Sequence, residues 1–155
     1  MKKITTILLV FTILTTVFIS CKKDEETTVK AAGTASADLK VGSAASVAWV
    51  ATTATATKAG TSYTITAINS TGTLVIKLDN VTAAGTYTFT TANRNATFTT
   101  GSKTYGTLNN GGGNTIITAI SADKIEGTFF CEMFDGTATS AVYCNLGNGK
   151  FSASF

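Results

Sequence analysis

The 155-residue chain holds 12 basic and 9 acidic residues, with no histidine and no proline; 44% of it is hydrophobic and 14% charged. This length fits one domain of ordinary size once a leader is set aside. The missing histidine removes the commonest general base and metal ligand, and the ample Phe, Tyr, Ile, Leu and Val exclude a disordered chain.

The N-terminus reads as a leader. Lys2 and Lys3 give a positive start, and Ile4 to Ile19 is a sixteen-residue apolar run diluted by threonines. That is short for the ~20 residues of a spanning helix and ordinary for the helix of a secretory signal. Phe18-Ile19-Ser20-Cys21 then resembles a bacterial lipobox, with Phe18 where Leu is usual. The expected organisation is a lipoprotein signal peptide over 1–20, a lipidated Cys21 opening a polar tether over 21–35, and one all-β domain over 36–155. The alternatives are an ordinary cleaved signal with a coincidental cysteine, or a membrane anchor. Acyl chains on Cys21 contribute ~0.8 kcal/mol per buried CH₂, so the membrane is the expected partner. Lys22, Lys23, Asp24, Glu25 and Glu26 resemble the surface-export signal that follows the lipidated cysteine of Bacteroidetes lipoproteins. Its alternative is a solvated spacer, with the protein kept on the periplasmic side of the outer membrane.

From Ser36 onward the pattern has period two, broken by Gly, Asn and Asp. Strands are expected at Ser36–Val41 and Val47–Thr57, the latter carrying Trp49. Thr61–Asn69 follows, with a turn at Asn69–Gly72, then Thr73–Val81 and Ala83–Thr91. A hairpin over Asn95–Leu108 turns at Thr100–Lys103, and Asn109–Asn114 is read as a flexible connection. Thr115–Ser121, Lys124–Phe134, Thr139–Leu146 and Lys150–Phe155 complete the set. Connections this short favour antiparallel neighbours. The expected fold is an antiparallel meander of about nine to eleven short strands, forming a β-sandwich or a flattened barrel.

Cys131 and Cys144 fall in the hairpin Ile125–Leu146. Placing them opposite each other sets Phe129 against Leu146 and Met133 against Val142, with Phe130 on the other face. A slip of one residue scrambles this sorting. A cross-strand disulfide is therefore expected, closing fourteen residues and worth roughly 3 kcal/mol in the chain-entropy account. Its alternative is two buried thiols. No cofactor or metal is expected, since two cysteines without histidine make no closed zinc site.

Little in the domain points to chemistry. From Ala31 on, six Lys and one Arg face six acids, so no basic stripe marks a nucleic-acid partner. Gly101–Thr104 lacks the glycine spacing and helix of a phosphate loop. Asp38, Asp79, Asp123, Glu126, Glu132 and Asp135 offer carboxylates for a cryptic glycoside hydrolase, but nothing selects two of them. Trp49, Tyr63, Tyr87, Tyr105 and Tyr143 are candidate glycan or protein contacts, with core packing the competing reading. The three Asn-x-Thr or Asn-x-Ser/Thr tripeptides at Asn69, Asn80 and Asn95 read as turn and strand residues.

Four stretches carry a family likeness: Trp49–Thr57, Asn80–Phe89, Ile117–Phe130 and Gly147–Phe155. They resemble a family of Bacteroidetes lipoproteins known as a domain of unknown function, in which a GTF-type strand, a hairpin and an N/D-G-x-F ending recur. Ile125–Phe129 and Asn148–Phe151 match that ending. The resemblance implies an exported all-β lipoprotein, and it transfers no catalytic residue. The sequence reading is thus a non-enzymatic, outer-membrane lipoprotein, surface-exposed, with a binding or structural β domain. A glycan- or protein-binding accessory module and a small hydrophobic-ligand carrier are the alternatives.

Overall fold

The computed structural model describes residues 32–136 and 142–155. The leader, Cys21 and the charge block at Lys22–Glu26 lie outside them. Eleven strands run through the described chain: β1 (Thr34–Val41), β2 (Val47–Val50), β3 (Thr53–Ala59), β4 (Ser62–Asn69), β5 (Gly72–Leu78), β6 (Gly85–Thr88), β7 (Asn95–Thr100), β8 (Lys103–Gly106), β9 (Gly112–Ile120), β10 (Lys124–Phe134) and β11 (Tyr143–Ser154). The described protein is all-β.

All eleven strands join in one sheet, in the order β2-β1-β11-β3-β4-β5-β7-β8-β10-β9-β6, with β10 also paired to β11. That extra pairing closes a ring. One layer is β2-β1-β11-β10-β9-β6 and the other is β3-β4-β5-β7-β8. Two narrow corners join the layers. At one, Ser154 of β11 pairs in parallel with Thr55 of β3; at the other, Phe134 of β10 pairs with Gly106 of β8. The result is a sandwich closed along both sides, a flattened barrel. Closure leaves β2 and β6 as edges, each only four residues long, and short edges limit pairing with other chains.

Alternation builds the core. Tyr63, Ile65 and Ala67 of β4, Leu74, Ile76 and Leu78 of β5, and Ile125, Phe129, Cys131 and Met133 of β10 all point inward and are buried. Burying a side chain such as Ile, Leu or Phe contributes about 1.5–3 kcal/mol. The layers meet at Trp49 and Phe98, whose rings pack edge to face at 5.8 Å. Outside, the second layer presents rows of hydroxyls. Thr53, Ile68, Thr73, Thr99 and Thr104 form one cross-strand row, and Thr55, Thr66, Val75 and Thr97 the next. In the third row, Thr57, Thr64, Lys77 and Asn95, only Lys77 is charged.

Several expectations shift. β1 begins at Thr34, two residues ahead of Ser36, and Gly33 already pairs with Ala54. The run Val47–Thr57 is two strands, because the chain changes layer at Ala51 and Thr52. The glycine connection is partly strand: Gly112–Asn114 opens β9, where a side chain at Gly113 would meet the Phe130 carbonyl at 2.0 Å. The last two expected strands fuse into the twelve-residue β11. A bulge lets this happen. The register with β10 slips at Gly147–Asn148, opposite Phe130, and that with β1 at Asn148–Gly149, opposite Ala37; Asn148, common to both, adopts φ 50°. The extra residue restores inward alternation at Gly149, Phe151 and Ala153.

The disulfide expectation is corrected. Cys131 pairs with Leu146, and Met133 with Cys144. The hairpin is offset by two residues from the expected register, so the thiols are diagonal neighbours on one inward face. Both are free and buried. Diagonal positions lie ≈ 7–8 Å apart, beyond the ~7 Å Cα limit for bridging. A slip of two leaves every face assignment intact, so the hydrophobic pattern does not distinguish the two registers.

Candidate functional site

The aromatic residues singled out from sequence mostly build the core. Trp49, Tyr63 and Tyr105 are buried, while Tyr87 and Tyr143 are half-buried. The acids are dispersed. Glu126 pairs with Lys124 at 3.0 Å, and this contact, with a hydrogen bond to Ser152, holds its carboxyl below the usual range. Asp135 lies 3.7 Å from Lys103. Asp79 accepts a hydrogen bond from Ser62 and lines a depression of about 340 Å³ with Lys77 and Asn93, where it is the only carboxylate. A wider hollow of about 670 Å³ lies between Gly60–Thr61, Val81–Ala84 and Thr118–Ile120, open to solvent. Lys58 stands at its rim, 5.5 Å from the Tyr63 ring and 5.2 Å from the Phe155 ring.

The two thiols are not poised for reaction. Burial pushes both up, Cys144 to about 12 and Cys131 further, with the neighbouring sulfur adding to the effect. A reactive cysteine needs the opposite, a stabilised thiolate.

The most distinctive surface lies on the outer face of the first layer. Strand β10 reads Phe129-Phe130 in sequence, so alternation sends Phe129 into the core and Phe130 out. Phe130 is 42% exposed, and Ile116 beside it 43%. Phe130 sits directly opposite Asn114 of β9, and Thr128 opposite both Ile116 and Lys150. On the β11 side Phe130 faces the bulge. There Gly147 has no side chain, and Asn148 turns its amide to donate to Asp38 Oδ2 at 2.8 Å. Asn114, Ile116, Thr128, Phe130, Asn148 and Lys150 thus surround a depression of about 370 Å³. Of these residues, sequence reasoning placed Phe130 outward but gave it no role. The doubled phenylalanine in a period-two strand was the available signal.

The domain's most regular feature lies under this surface. Gly127 pairs with Phe151, and Phe129 with Gly149. Each ring leans over the glycine across from it, and the two rings stand 6.4 Å apart. A model of the family described as a domain of unknown function, DUF6252, matches residues 41–153, which is 113 of 155 residues. The chain belongs to the DUF6252 family. The match runs from the last residue of β1 to the end of β11, so it takes in the reciprocal Gly–Phe pair and the residues lining the depression around Phe130, but not Asp38. No curated protein and no solved structure matches this DUF6252 chain.

Proposed function

We propose that this protein is a lipid-anchored lipoprotein of the outer membrane, displayed at the cell surface, whose β domain is a non-catalytic binding module. The observation that carries the anchor is the position of Cys21. It stands where a sixteen-residue apolar run gives way to Lys22–Glu26, ahead of a domain whose first paired residue is Gly33. The eleven residues 22–32 reach at most ~40 Å when fully extended, enough to hold the domain clear of the headgroups. The Bacteroidetes lipoprotein likeness and the acidic block after Cys21 support outward display. A binding role is favoured over a purely structural one by the exposed Phe130 and Ile116 among amide side chains. A non-catalytic role is favoured by the missing histidine and the dispersed acids.

Cells expressing the full chain are labelled with palmitate and then treated with protease. Wild-type protein takes up label and is digested on intact cells. Cys21→Ala takes up none, and replacing Asp24, Glu25 and Glu26 by Asn leaves the label but protects the protein. Undiminished labelling of Cys21→Ala refutes the anchor, and protection of the wild type refutes display.

A further inference from the structure

We propose that the outer face of β9, β10 and β11 binds a neutral glycan chain, with the Phe130 ring as its stacking platform. This rests on the reading of the domain as a binding module. A sugar ring has an apolar C–H face and a rim of hydroxyls. It needs a flat apolar surface bordered by groups that both donate and accept hydrogen bonds.

The sheet supplies both in one cross-strand row. Phe130 is the exposed ring. Asn114 stands directly across on β9, at the ~5 Å Cβ spacing of opposed strand residues. Asn148 and its partner Asp38 stand on the other side. Lys150 and Thr128 occupy the adjacent row, with Ile116 extending the apolar floor. The β11 bulge shapes this place: the extra residue puts a bare Gly147 beside Phe130 and aims Asn148 along the row.

The setting decides between ligand classes. A peptide adding to the sheet needs a free edge, but β10 is paired on both sides here, to β9 and to β11. A polyanion needs a cluster of cations, and here Lys150 is the single cation in the lining, with the Asp38 carboxylate bonded to neighbouring Asn148. A neutral, hydroxyl-rich ligand fits a ring among amides. The opposite outer face, with its threonine rows, shows no comparable exposed ring among the described residues.

The test uses the full chain, purified in a sugar-free detergent, on an array of neutral and sulfated oligosaccharides. The wild type is expected to be retained by neutral glycans, with at least a tenfold loss in Phe130→Ala and retention in Phe130→Trp. Asn148→Gly, which keeps the bulge conformation, and Asn114→Ala each weaken retention severalfold. Thr55→Ala with Thr66→Ala, on the other layer, leaves it unchanged. Retention by sulfated glycans alone overturns the proposal, as does no glycan retention at all. Glycan retention that Phe130→Ala leaves intact overturns this site while keeping the binding module. The array needs no lipid, so a chain that fails palmitate labelling but is retained through Phe130 overturns only the anchor.

Discussion

Replacing Gly149 by alanine tests the reciprocal Gly–Phe pair directly. Gly149 lies in β11 with ordinary extended backbone, so the added methyl group is not opposed by conformation. It is opposed by Phe129. An ideal Cβ at Gly149 would lie 2.5 Å from Cε2 and Cζ of that ring and 2.6 Å from Cδ2. Phe129 is only 3% exposed and its ring stands 6.4 Å from that of Phe151, so moving it disturbs other core side chains. Overpacking of this kind costs typically 1–3 kcal/mol. A loss of about 2 kcal/mol lowers the melting temperature by roughly 8 °C for a domain of this size. Urea denaturation of the full chain, followed by the fluorescence of buried Trp49, gives the free energy. Phe129→Ala alone costs about 3–5 kcal/mol. In the double variant the two effects partly cancel, because the methyl group enters the space the ring vacates. The expected coupling is about 1–3 kcal/mol. A Gly149→Ala loss below ~0.5 kcal/mol, or additivity of the pair within ~0.5 kcal/mol, refutes the steric account.

Cys131 and Cys144 should resist alkylation in the native protein, and each should take one alkyl group in denaturant without reductant; a resistant pair there would mean a bridge. Their raised folded pKa values also set a pH dependence. Below the unfolded thiol pKa of ≈ 8.5 both states keep the proton and nothing changes. Between there and about 12, the folded value of Cys144, only the unfolded state loses it. Stability therefore falls as pH rises, by about 1.4 kcal/mol per unit for each thiol. The doubly substituted Cys131→Ala, Cys144→Ala protein should show a visibly shallower loss between pH 9 and 10 in thermal melts. Trp49 Nε1 is buried without a hydrogen-bond partner among the described residues. Trp49→Phe removes that orphan donor, whose burial costs about 1–3 kcal/mol, so it should cost far less in urea titrations than the ~3–5 kcal/mol of Trp49→Ala. Asn148 sits in the left-handed region, where a side chain other than Gly, Asn or Asp costs ~1–2 kcal/mol. Asn148→Ala should therefore melt lower than Asn148→Gly, though both lose the contact to Asp38.

Period-two alternation made most of the fold legible. It located β10 to the residue, and it sorted Ile125, Phe129, Cys131 and Met133 to the inner face. Three things lay outside its reach. Alternation is blind to a slip of two, which is why Cys131 meets Leu146 and not Cys144. A bulge sets two residues against one, and in the sequence Gly147–Asn148 reads as the gap between two strands. A change of layer needs no turn signature, so the corner at Ala51–Thr52 was hidden inside Val47–Thr57. The proposed binding surface was half legible. The doubled Phe129-Phe130 forces one ring outward, but Asn114, Asn148 and Lys150 are brought to it only by the ladders and the bulge.

Strand β11 is held on one edge by β10 and on the other by β1 and then β3. Of the described strands it is the last in the chain, yet it sits where the ring closes. A chain lacking residues 143–154 has β1 paired only to β2, β10 paired only to β9 and β8, and no closed core. The full chain therefore closes its core only when β11 pairs, since the closing contacts join its first strand to its last. Were the chain exported N-terminus first, as the proposed anchor requires, closure would wait for the final strand: until β11 pairs with β1 and β10, the core stays open.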